Sequence, residues 1–188
     1  MSASGPDELL LVRHGESEMN VAQRLTGWSD SPLTARGRLQ AASLRELLHP
    51  FGPLPIHSSD LRRAVDTATL ALGEPTRSSG WRELDFGKLE GVPWPSLNPG
   101  LRAAMKAFDD FEAPGGESVR TFRLRVLNTV SRLGEGRHVI FTHGGVIRLL
   151  LRELDEQAFV PNATVVHLDW RARTLLGVTP CPHESVEG

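Results

Sequence analysis

The chain has 188 residues, 39% of them apolar and 23% charged, with a net charge of -2. That length suits one substantial core, and so small a net charge excludes a global basic field for nucleic acid or anionic lipid, so any anion site must be local. The single cysteine, Cys181, excludes an internal disulfide and a thiolate cluster for zinc or iron-sulfur, and the apolar stretches are too short to cross a bilayer.

Residues 1 to 8 read as a loose polar lead. Residues 9 to 12 are four consecutive apolar side chains that stop at Arg13-His14-Gly15, which predicts a buried strand delivering an arginine and a histidine at its carboxyl end. Open α/β sheets bind ligands at that end. Ser31-Pro32-Leu33-Thr34 sets up a cap before helical spacing over 35 to 48, which Pro50 and Gly52 close. A short strand follows at 55 to 58. Ser59 or Asp60 then caps a helix running to about 72, stopped by Gly73 and Pro75. From 80 to 100 the chain carries Gly80, Gly87, Gly91, Pro93, Pro95, Pro99 and Gly100, so an irregular excursion is expected there, long enough to carry function. A helix over about 100 to 111 precedes Pro114-Gly115-Gly116-Glu117-Ser118, which starts another helix reaching Leu133. Residues 139 to 142 predict a second buried strand, ending in His143-Gly144-Gly145, and 146 to 154 a helix. Residues 165 to 170 and 174 to 178 read as a terminal hairpin or edge strands, and 180 to 188 as a frayed tail.

Alternating strands and helices imply one domain over 1 to 188: a three-layer αβα sandwich with a mostly parallel central sheet and an antiparallel edge strand. Both strand ends carrying a His-Gly pair then face the same edge of the sheet. An arginine beside a histidine there suits phosphate chemistry, because a guanidinium grips two phosphoryl oxygens while an imidazole nitrogen attacks phosphorus. Alone, the tripeptide is matched more simply by a solvated strand end. Gly144-Gly145 can present backbone N–H groups to an anion at a helix start, or allow a close helix-sheet crossing. The other histidines, His49, His57, His138, His167 and His183, lack metal-ligand spacing and read as structural or surface groups. Trp28, Trp81, Trp94, Phe86, Phe108 and Phe111 are expected mostly in the core, with some of those between 81 and 111 at a substrate mouth.

Set side by side, several segments resemble the histidine phosphatase superfamily in sequence and in order, over about residues 9 to 150. They are Leu11-Val12-Arg13-His14-Gly15-Glu16-Ser17 with Asn20; Gly27 to Asp30 with Pro32-Leu33-Thr34, Gly37 and Gln40-Ala41; Ser58-Ser59-Asp60-Leu61-Arg62-Arg63-Ala64 with Thr67-Ala68; Glu83 with Leu84-Asp85-Phe86-Gly87 and Glu90-Gly91; residues 114 to 118; and Thr142-His143-Gly144-Gly145-Val146. The resemblance implies that His14 takes the phosphoryl group as a phosphohistidine, its other ring nitrogen donating to a backbone carbonyl. It implies that Arg13 and Arg63 hold the phosphoryl oxygens, that His143 donates to them, and that Glu83 protonates the leaving oxygen and then activates water. Asn20, Thr26, Gly27 and Gly144 fall where the family contacts phosphoryl group or substrate; Arg62 is read as solvated.

The superfamily also contains cofactor-dependent phosphoglycerate mutases. Those hold a substrate carboxylate and second phosphate with a lysine after their Phe/Tyr-Gly motif and an arginine pair further on. Here Leu89 to Asn98 offers no lysine or arginine, and Arg102 and Lys106 are isolated, a turn apart on the expected helix. Gly145 stands where the mutases have asparagine, and their longer carboxyl-terminal extension is lacking. The resemblance therefore points to a phosphomonoester hydrolase, most similar to short bacterial phosphatases of the α-ribazole phosphatase and broad-specificity type. The alternatives are a phosphoglycerate mutase using 2,3-bisphosphoglycerate and a non-enzymatic phospho-ligand binding protein. The further expectations are a small phosphorylated substrate, no metal or other cofactor, no nucleic-acid or membrane partner, a cytoplasmic location and a possible homodimer.

Overall fold

The computed structural model describes residues 5 to 182. The strands are β1 (Glu8–Arg13), β2 (Ile56–Ser59), β3 (Thr76–Ser78), β4 (Arg137–Thr142), β5 (Val165–Asp169) and β6 (Thr174–Thr179), and the helices are α1 (Glu18–Val21), α2 (Ala35–Leu48), α3 (Arg62–Ala71), α4 (Pro99–Ala107), α5 (Val119–Val130) and α6 (Gly144–Glu153). One sheet results, in the order β3-β2-β4-β1-β5-β6. β1, β2, β3 and β4 pair in parallel, whereas β5 runs antiparallel to both β1 and β6. The reversed strand is thus β5, one place in from the edge, and the hairpin read at the carboxyl end is β5 and β6.

The apolar run of β1 serves two cores, because successive strand residues point to opposite faces. Leu9 and Leu11 join Ile140 and Val166 against Met105 of α4, Phe122 and Val126 of α5, and Val146 and Leu150 of α6. Leu10 and Val12 join Val139, Phe141 and Val165 against Leu44 and Leu48 of α2 and Ala68 and Ala71 of α3. Residues 9 to 12 lose all solvent exposure as a result. The sandwich has its three layers, as the α/β alternation requires. No helix among the described residues is long and apolar enough to cross a membrane.

Several sequence expectations need correction. Asp7 and Glu8 are not loose: Asp7 N donates to Gly136 O at 2.8 Å, and Glu8 opens β1 with its carboxylate held by Arg137 and His167. In the tail, Cys181 is 2% exposed, packed in the core on the α2 and α3 face; residues 183 to 188, His183 among them, lie outside the described residues. Neither Ser59 nor Asp60 caps α3. Its N-cap is Leu61, while Asp60 forms two hydrogen bonds with Arg82, both 2.7 Å. The helix read at 100 to 111 stops at Ala107, where Phe108 takes left-handed backbone (φ 58°), and the next ends at Val130. Thr34 caps α2 as expected, accepting from Gly37 N. The excursion is irregular but ordered into single 3₁₀ turns at Ser79–Trp81, Gly87–Leu89 and Trp94–Ser96.

Candidate active site

Pairing of β1 with β4 in the register Arg13↔Thr142 places His14 and His143 side by side just past the sheet edge. His14 N donates to Thr142 O at 3.0 Å, and the two imidazole rings stand 5.2 Å apart, inclined at 61°. The turn after β1 is drawn in tightly. A Cβ on Gly15 would overlap the carbonyl of Gly37 in α2, and Gly15 N donates to Thr67 Oγ1 of α3 at 3.0 Å. Gly15 O faces His14 Nδ1 at 2.7 Å. Nδ1 therefore carries the proton, and the lone pair of the neutral ring is left on Nε2.

Arg63, in the first turn of α3, is 1% exposed; its fork donates to Gly27 O at 2.7 Å and Ser29 O at 2.9 Å. Arg62 beside it is turned out toward Asp66, as read from the sequence. Arg13 Nη1 donates to Val160 O at 2.6 Å. The Nε atoms of Arg13 and Arg63 and both ring nitrogens of His143 are buried without a hydrogen-bond partner. Buried donors are almost always satisfied, so such a cluster marks where a polar ligand belongs. Burial, reinforced by the positive charges of Arg63 and Arg13, holds His14 well below the usual imidazole range, against the opposing pull of the Gly15 carbonyl. Burial, then Arg63, His14 and Arg13, does the same to His143. Desolvation also lowers both arginines, Arg63 to about 10, with Glu83 opposing the shift in each. Both remain cationic near neutral pH. The result is a pair of neutral imidazoles between two cations, suited to an anion.

Glu83 comes from the excursion, which Thr142 Oγ1 ties to β4 by donating to Trp81 O at 2.8 Å. Its carboxyl accepts from Leu84 N at 2.9 Å (Oε1) and from Gly145 N at 2.9 Å (Oε2). Its own carbonyl accepts from Trp28 Nε1 at 2.8 Å and Arg125 Nη2 at 3.1 Å. Arg125 is the knot of this region: it grips both oxygens of Glu117 and donates to the carbonyls of Ser79, Gly80 and Arg82. Trp28, expected in the core, is instead a partly buried strut with the Arg82 guanidinium 4.6 Å from its ring centre.

A cavity of about 150 Å³ is lined by Arg13, His14, Arg63 and Glu83 with Asn20, Thr26, Gly27 and Gly144. Of the residues given a catalytic or phosphoryl-binding role by the resemblance, His143 is missing from this lining, and Gly145 lines only a second, larger cavity. His143 is fully buried, and its ring packs edge-on against His14. Asn20 Oδ1 accepts from Ser17 N and Oγ, so this side chain also holds its own turn. The larger cavity, of about 570 Å³, shares Arg13, Leu25, Glu83, Phe86 and Gly144 with the first. Its walls are largely apolar, with Phe86, Trp94, Met105, Phe108, Phe111 and Leu151, while Lys106, Arg148 and Arg152 bring cationic groups. The mouth thus uses four of the aromatics read between 81 and 111, but not Trp81, which is 1% exposed in the core.

Sequence reasoning missed Asn162, whose Nδ2 donates to His14 O at 3.0 Å and Asn20 Oδ1 at 3.2 Å, clamping the histidine turn. It also gave no role to Glu90, which accepts from the amides of Trp28 and Ser29 and shapes the turn whose carbonyls Arg63 holds. Glu117 was within reach through the 114 to 118 segment. Arg125 and Asn162 carried no local signal.

Comparison with known proteins places the chain in a family. The family model described as histidine phosphatase superfamily (branch 1) matches residues 9 to 178. A 2,3-bisphosphoglycerate-dependent phosphoglycerate mutase 2 of Gloeobacter violaceus is 33% identical over 169 residues, 78% of this chain and 75% of that protein. A metal-independent phosphoserine phosphatase of Arabidopsis thaliana is 32% identical over 181 residues, 86% of this chain and 76% of that one. A crystal structure of phosphoglycerate mutase from Thermus thermophilus superposes with a TM-score of 0.85 at 45% identity, covering 92% of this chain and 98% of that one.

Proposed function

The chain belongs to the histidine phosphatase superfamily, and from that premise we propose that it hydrolyses a small phosphorylated metabolite, a phosphomonoester, through a phosphohistidine on His14. The observation that carries the reading is the state of His14. Its Nδ1 is occupied by the Gly15 carbonyl and its pKa is depressed by burial beside two arginines, so Nε2 offers a lone pair at neutral pH.

In the first step the Nε2 lone pair forms a bond to phosphorus, the bond from phosphorus to the ester oxygen breaks, and that oxygen takes a proton from Glu83. In the second, water bonds to phosphorus and yields a proton to Glu83, while the N–P electron pair returns to Nε2. Charge on the phosphoryl oxygens is neutralised by Arg13 and Arg63, with His143 as a further donor from behind. Asn20, Thr26, Gly27 and Gly144 complete the walls around it. On this reading no cofactor is called for, 2,3-bisphosphoglycerate being required only by a mutase.

The larger cavity beside Glu83 is where the leaving group would sit. A three-carbon acid phosphate fills little of it, which favours a bulkier leaving group packed on the aromatic wall, with Lys106, Arg148 and Arg152 among the residues around it. Mutase names among the relatives keep the mutase as the competing reading. The test is a screen of small phosphomonoesters for inorganic phosphate release, beside a mutase assay with and without 2,3-bisphosphoglycerate. Phosphate release exceeding mutase turnover is expected; fast mutase turnover with negligible phosphate release overturns the proposal.

A further inference from the structure

Between α6 and β5 the chain runs as a strap along the larger cavity, which residues 156 to 160 all line. Its near end is fixed to α6, where Asp155 takes left-handed backbone (φ 60°) and Glu156 N donates to Leu151 O at 3.0 Å. Its far end is fixed to the catalytic turn. Val160 O accepts from Arg13 Nη1 at 2.6 Å, and Ala163 N donates to the carbonyls of Arg13 and His14, both at 3.1 Å. Between these anchors, no backbone N–H from Gln157 to Val160 forms a hydrogen bond among the described residues. The strap is held at its ends and free to adjust along its length.

Phe159 lies in that free stretch. It lines the cavity, yet at 84% it is the most exposed of the large apolar side chains among the described residues. A lone exposed phenylalanine is ordinary on a surface, but one at the rim of a cavity with apolar walls has a contact to gain. Phe86, Trp94 and Phe108 in the same lining already pack on the core, so they form a fixed wall. Arg148 and Arg152 are likewise committed, donating to the carbonyls of residues 105 to 108 at the end of α4.

We propose that Phe159 is a specificity-determining residue: it folds over the leaving group against the fixed aromatic wall and so selects phosphate esters of alcohols with an aromatic or extended apolar body. This rests on the reading of the larger cavity as the leaving-group site. A leaving group that fills the cavity takes apolar surface of Phe159 out of water, and burying half of a phenylalanine side chain is worth about fivefold in binding.

The test compares wild type with Phe159→Ala and Phe159→Tyr on 2-(1-naphthyl)ethyl phosphate and ethyl phosphate, alkyl esters whose leaving oxygens are alike in basicity. Phosphate release gives kcat and KM, and calorimetry gives the Kd of 1-naphthylmethylphosphonate, which cannot be hydrolysed. Wild type is expected to prefer the naphthylethyl ester in kcat/KM. Phe159→Ala is expected to cut that preference about fivefold, through KM, and to weaken phosphonate binding by a similar factor; Phe159→Tyr is expected to keep both. A wild type without the preference, an alanine variant that loses equally on both esters, or an unchanged phosphonate affinity overturns the inference. Phosphonate binding that depends on Phe159, with no phosphate release from any phosphomonoester screened, supports it and overturns the hydrolytic reading beneath it.

Discussion

Thr67 offers a sharp test of how the histidine turn is held. Its buried hydroxyl donates to Arg63 O at 2.7 Å and accepts from Gly15 N at 3.0 Å, so one side chain of α3 ties the phosphate-side arginine to the residue whose carbonyl orients His14. Thr67→Val keeps the shape and removes both bonds. The Gly15 N–H is then left unsatisfied at a site with no solvent exposure, at a cost of about 1 to 3 kcal/mol. For a chain of this size, about 2 kcal/mol lowers the melting temperature by roughly 4 to 8 °C. Thr67→Ser keeps the hydroxyl and loses one methyl, about 0.8 kcal/mol. The valine variant should also lose kcat, because Gly15 O is no longer held against His14 Nδ1, with KM changing less. Thermal and urea unfolding of the three proteins, with steady-state kinetics, make the comparison. A valine variant as stable as wild type, or a serine variant as damaged as the valine one, refutes the reasoning.

The depressed pKa values of His14 and His143 predict a stability profile. Below about pH 6.5 the unfolded chain binds protons that the folded site refuses, so stability is complete above that pH and falls as pH drops toward the depressed values, by up to about 1.4 kcal/mol per pH unit for each histidine. Urea midpoints between pH 7.5 and pH 5 should show this slope, reduced in His143→Asn; an equal slope in both proteins contradicts it. Glu8 and Asp60, lowered chiefly by hydrogen bonds from Arg137 and Arg82, lose their stabilisation in a separate, more acidic window. In the larger cavity, Trp94→Ala should cut kcat/KM for naphthyl phosphate by about tenfold, from loss of about 1.5 kcal/mol of apolar contact, and change phosphoserine little. Equal losses on both substrates would place Trp94 outside the leaving-group site.

Much of the fold is legible because the sheet is buried on both faces. The unbroken apolar runs at 9 to 12 and 139 to 141 announce β1 and β4, and Thr34 announces α2. β3 is three residues long with Thr76 and Arg77 exposed, and α1 buries no residue, so neither leaves a hydrophobic pattern. The chemistry-bearing side chains sit in spaced motifs that can be read in order. What holds them cannot be read that way. Asn162 reaches His14 across 148 residues, and Arg125 reaches Glu83 across 42, each by donating to a backbone carbonyl that any residue type could supply. Gly145 is a middle case: the Gly144-Gly145 pair is conspicuous in the sequence, but only the structure shows that its second N–H is taken by the Glu83 carboxyl.

The central claim is that phosphoryl passes to His14 Nε2 and from there to water. Rapid acid-free quenching of the enzyme with ³²P-labelled substrate, followed by peptide mapping, tests it most directly. Acid-labile, base-stable label on the peptide carrying His14, decaying at the rate of phosphate release and missing in His14→Asn, is the predicted result. Label on another residue, or full turnover in His14→Asn, contradicts it.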